Sequence, residues 1–215
     1  MYTDILKVNK WYCLLFISCL TIFFTYFIQS AFVSVNVFFN TYSQTLTYER
    51  VQELFATAKK YEIVTYSLVP LILLIKVFYN SFFISSATLL TEEKNYSFSA
   101  NFNICLKAEL VFVLMYIVKI LFFIFFKKIS TVTDVNFIPL SVLSLFTQDN
   151  LPKWSIYPLQ TLNLWELLFC YFGTLLFSSA YKTSIKKSFV LFCIPYITGL
   201  IVLMMIAAFL SIALT

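Results

Sequence analysis

Histidine does not occur in this chain, and glycine occurs only twice, as Gly173 and Gly199. Without histidine the commonest metal ligand and the commonest general base are both missing. Zinc hydrolases and many intramembrane proteases therefore lose their usual equipment. Charge is scarce as well, at 12% of 215 residues, so no solvated polar shell can close around a soluble core. The five cysteines, Cys13, Cys19, Cys105, Cys170 and Cys193, fall in or beside apolar runs without Cys-x-x-Cys spacing. They read as small buried hydrophobes rather than a metal or redox set. No catalytic, metal or nucleotide motif is present, which points to a protein that is not an enzyme and needs no cofactor.

What the chain has instead is hydrocarbon. Hydrophobic residues make up 61% of it and the mean hydropathy is +0.88. Five apolar stretches, at about 11–28, 63–84, 106–126, 162–181 and 189–213, are separated by short gaps that carry charge or proline. About 20 apolar residues at 1.5 Å rise cross roughly 30 Å of hydrocarbon, and only a helix satisfies its own peptide groups there. The fold class is all-α: a polytopic transmembrane helical bundle of about five spans forming one integral membrane domain over residues 1–215. The first span is too long for a secretory signal, lacks an Ala-x-Ala site and is followed by four more spans.

The gaps have character of their own. Between Thr41 and Glu62, Val51, Leu54, Phe55, Ala58 and Tyr61 recur at helical spacing, with Glu49, Arg50, Glu53, Lys59 and Lys60 between them. This is an amphipathic helix before the second span, packed on the bundle or prolonging that span. Pro70 inside the span predicts a kink. From Ile129 to Asn163, Pro139, Pro152 and Pro158 break an apolar stretch that also holds Trp154 and Tyr157, predicting short pieces in the membrane interface before the fourth span.

Orientation follows from lysines. Lys7 and Lys10 precede the first span, and the short YKTSIKKS loop holds Lys182, Lys186 and Lys187 without an acid. Both place their segments in the cytoplasm, giving a cytoplasmic N-terminus and an outside C-terminus, although Lys127, Lys128 and Lys153 oppose the bias. The net charge of +5 fits span ends and anionic headgroups and gives no reason to invoke nucleic acid.

Four charged residues lie inside the apolar runs: Lys76, Glu109, Lys119 and Glu166. An ionised side chain at mid-bilayer costs about 2.5 kcal/mol or more, so such groups are expected to be paired or wet. Their depths under the proposed topology pair Lys76 with Glu109 and Lys119 with Glu166. In the competing arrangement the lysine stems reach the headgroups and the glutamates sit at the interface. Glu166, Cys170, Gly173 and Thr174 form a small, polar seam on the fourth span that suits a bundle-facing surface. Glu92 and Glu93 read as a solvated loop pair, since no histidine completes a metal site.

From Phe137 onward the order PLSVLSLF, an interfacial Trp and Pro stretch, an Asn163-Leu164-Trp165-Glu166 opening, a basic hairpin and an uncharged last helix resembles uncharacterised five-span bacterial membrane proteins. More remotely it is similar to the Yip family. The resemblance covers the C-terminal third and implies topology and a bacterial cytoplasmic membrane. The N-terminal cytoplasmic extension of eukaryotic Yip members is absent here, so no role in small-GTPase traffic carries over. The leading expectation is an integral membrane protein, embedded in the lipid bilayer, that binds or organises other membrane proteins or self-associates. The alternative is a small transporter or permease subunit using the intramembrane charges.

Overall fold

The computed structural model describes residues 8–91, 96–146 and 151–213. Asp4, Lys7, Glu92 and Glu93 lie outside the described residues. The helices are α1 (Lys10–Phe32), α2 (Val35–Tyr42), α3 (Tyr48–Leu89), α4 (Phe98–Ala108), α5 (Leu110–Phe125), α6 (Val132–Val135), α7 (Lys153–Thr161), α8 (Leu164–Tyr181) and α9 (Ile185–Ala213), with a 3-10 turn at Val142–Leu145. Among the described residues there is no strand, only an isolated antiparallel bridge between Ser141 and Asn163. Five units are long and apolar enough to cross a membrane: α1, α3, α4 with α5, α8 and α9. The chain is an all-α polytopic bundle.

Local chemistry explains where the helices differ from the hydropathy reading. At the start of α1 the Asn9 side chain accepts a hydrogen bond from the Trp11 amide at 3.0 Å. The helix ends at Phe32, where Val33 turns extended, and the uncharged stretch beyond it forms the separate α2. The amphipathic helix and the second span are one helix of 42 residues, with Pro70 inside it. No glycine interrupts it, and a proline in a membrane helix forfeits one hydrogen bond without ending the helix.

The third span begins earlier than 106. Ser97 caps α4 by accepting from the Ala100 amide at 3.2 Å, and polar Asn101 and Lys107 are buried, which is why hydropathy alone reads this turn-rich stretch as loop. Only Glu109, with φ −59° and ψ −17°, separates α4 from α5. The basic hairpin is also shorter than its sequence: the turn is 182–184, Lys182 takes a left-handed φ of 53°, and Lys186 and Lys187 belong to the first turn of α9.

The core runs through Ile17, Val77, Ile104, Phe169, Phe177, Phe192 and Tyr196. Helices α8 and α9 approach closely because Gly173 has no side chain; a Cβ there would lie 2.1 Å from the Phe192 ring. The outward faces stay apolar, with Leu71, Ile75, Leu167, Ile201 and Phe209 exposed, as a lipid-facing surface requires.

The proline-rich stretch forms α6, the 3-10 turn and α7, and α7 packs on α9. A strap at 139–142 is stitched to the start of α8: Trp165 Nε1 donates to the Pro139 carbonyl at 2.9 Å, the Val142 amide to the Leu162 carbonyl at 2.8 Å, and the Leu164 amide to the Leu140 carbonyl at 3.1 Å.

Candidate functional site

Three of the four intramembrane charges lie in one neighbourhood. Lys76 projects from the middle of α3, and its Nζ lies 2.9 Å from Glu109 Oε2 and 3.5 Å from the centre of the Phe112 ring. Glu109 stands at the hitch between α4 and α5 and is 2% exposed. Its second oxygen, Oε1, is buried and accepts no hydrogen bond among the described residues.

Glu166 joins this pair from α8. The opening Asn163-Leu164-Trp165-Glu166 divides its labour: the Asn163 side chain accepts from the Glu166 amide at 2.9 Å, Trp165 ties to Pro139, and the Glu166 carboxylate accepts a hydrogen bond from the Tyr196 phenol on α9. Glu166 also feels the charges of Lys76 and Glu109. The seam that it begins faces α9 as well, with Thr174 Oγ1 3.2 Å from Cys193 Sγ.

Lys119 does not meet Glu166, which corrects the pairing expected from depth. Among the described residues Lys119 has no ion pair, and its Nζ lies 5.6 Å from the centre of the Phe123 ring. Glu166 meets the Tyr196 phenol on α9 instead.

A cavity lies on either flank of the cluster. One, of about 360 Å³, is lined by Thr21, Thr25, Lys76, Glu109 and Tyr116 between α1, α3 and α5. The other, of about 670 Å³, lies between the strap, α8 and α9, and its lining includes Glu166 and Tyr196. With both glutamates ionised and Lys76 charged, the cluster carries one excess negative charge. A proton or a cation neutralises it. Among the described residues no three His, Cys, Asp or Glu side chains are grouped to hold a metal ion.

Sequence reasoning overlooked Tyr196, a lone phenol next to Pro195 in a helix without charge in its membrane part; that isolation was the available signal. It also overlooked Lys107, which is 3% exposed and donates to the Val8 carbonyl at 3.0 Å. Comparison with protein-family models, with curated proteins and with solved structures found no match.

Proposed function

We propose that this integral membrane protein is not an enzyme and that it moves a cation across the bilayer in exchange for protons, through the cluster of Lys76, Glu109 and Glu166. The observation that carries this reading is Glu109: a fully buried carboxylate beside a cavity, with one oxygen paired to Lys76 and the other without a partner among the described residues. Ionisable groups inside a membrane are costly, and their usual use is an ion or proton path. In this reading the protein sits in a bacterial cytoplasmic membrane with its N-terminus inside and its C-terminus outside, on the evidence of Lys10, Lys182, Lys186 and Lys187.

Proteoliposomes loaded with a pH-sensitive dye and given an inside-acid gradient test it, with inorganic and organic cations added in turn. The expected result is collapse of the gradient by at least one cation and no collapse with Glu109→Gln. Gradients that survive every cation, or collapse equally in the variant, would end the proposal.

A second reading has its own observation. Between Val51 and Val77, α3 has no buried residue, and Tyr61, Ile63, Val64 and Leu68 are exposed along it. This stretch supports the expectation that the protein binds or organises other membrane proteins, or a second copy of itself. Cysteine cross-linking from Leu68→Cys in native membranes tests it; the absence of any adduct removes this reading.

A further inference from the structure

The larger cavity identifies the kind of cation. Its volume of about 670 Å³ lies within the range of about 300–1,000 Å³ occupied by drug-sized ligands. Its walls are aliphatic, with Leu140, Leu164, Leu167, Ile197 and Ile201 among them, and no basic side chain among the described residues lines it. The acidic group on the wall is Glu166, whose carboxylate is held in place by the Tyr196 phenol. The strap that roofs the cavity keeps Leu140 at a φ of 61°, a left-handed conformation that strains a non-glycine residue. Such strain persists where neighbouring bonds enforce it, here those of Val142 and Leu164 to the opposing strand of chain.

A lipid acyl chain would match the walls but not the carboxylate, since an ionised group against hydrocarbon stays uncompensated. A small hydrated inorganic cation would match the carboxylate but not the walls. We infer that this cavity binds a lipophilic organic cation, an amine or onium group on an apolar body, with its charge against Glu166 and its body against Leu164, Leu167 and Ile201. The inference rests on the reading of the cluster as a cation site and names its substrate class. Proton and ligand compete for Glu166. The groups that face it are Tyr196 from α9, Lys76 from α3, Glu109 from between α4 and α5, and Cys170 on its own helix. Lys76 is matched by Glu109, so the competition falls on Glu166.

The test is equilibrium binding of radiolabelled tetraphenylphosphonium to the full chain in lipid nanodiscs, counted against empty nanodiscs. Saturable binding of one cation per chain is expected. Glu166→Gln should weaken binding by at least about tenfold, the loss of one charge-assisted contact. Ile201→Trp keeps every charge, fills the cavity from a lipid-exposed position, and should weaken binding comparably. Tetraphenylborate, similar in shape and opposite in charge, should show no saturable binding. Unchanged affinity in Glu166→Gln, saturable tetraphenylborate binding, or no saturable tetraphenylphosphonium binding would each overturn the inference. Binding without gradient collapse in proteoliposomes would leave this site standing and remove the transport reading; gradient collapse by small cations without binding would do the reverse.

Discussion

Two lysine–carboxylate pairs in this chain have the same 2.9 Å separation and opposite surroundings: Lys127 with Asp134 in the segment after α5, and Lys76 with Glu109 within the bundle. Asp134 is saturated. Its Oδ1 meets Lys127, while Oδ2 accepts from the Ser130 and Thr131 amides and from both of their hydroxyls. Together with Thr131 it closes a capping box on α6. Burial alone would push this carboxyl up, but the hydrogen bonds from Lys127, Thr131 and the Ser130 and Thr131 backbone outweigh it and hold it well below the usual carboxylate range. Glu109, by contrast, has one donor for two oxygens among the described residues, although its side chain is only 3% exposed. A saturated pair is a fastener, whereas an unsaturated one in a drier place costs stability that folding alone gives no reason to retain.

The largest effect should come from splitting the inner pair. Lys76→Met leaves Glu109 buried with no counter-charge, a loss of about 3–5 kcal/mol in comparable soluble cases. The double variant Lys76→Met/Glu109→Gln should recover much of that loss in thermal unfolding in detergent while abolishing gradient collapse. Strictly additive losses would show that the two charges are not coupled, and the contrast with Asp134 would disappear.

Asp134→Asn should cost less, about 1–2 kcal/mol for a lost cap and a partly exposed ion pair, and should leave gradient collapse intact. Its pH dependence has a definite sign. Because the folded carboxyl is held below its ordinary value, its contribution to stability is present above about pH 4, the unfolded value, and is lost as pH falls toward the folded one. The melting-temperature advantage of the native chain over Asp134→Asn should therefore shrink on acidification below about pH 4. An advantage that grows there would mean that Asp134 is not held by these donors.

The smallest effect belongs to Lys119. Resting over the Phe123 ring with no ion pair among the described residues, the half-buried Lys119 should tolerate Lys119→Met with a loss of about 1 kcal/mol, between the exposed and desolvated limits of a cation–π contact. Combined with Glu166→Gln the losses should add within about 0.5 kcal/mol. A double variant clearly more stable than that sum would restore the Lys119–Glu166 pair.

The sequence by itself determined the class of protein and the number of spans, because burying peptide groups in hydrocarbon demands helices of a minimum length and composition. It also determined that no imidazole is available to any site, since the chain holds no histidine. Helix ends were less legible: the polar Asn101 and Lys107 look like loop until they are seen facing inward, and the amphipathic stretch and the second span form one helix. Which charges meet was decided only by the tertiary structure. Depth along a helix can be counted from sequence only when the level of its first residue is known, and the first turn of α8 is fixed by its bonds to the strap at 139–142, which hydropathy does not show. That placement brought Glu166 to Tyr196 and into the field of Lys76 and Glu109, and it opened the cavity beside them.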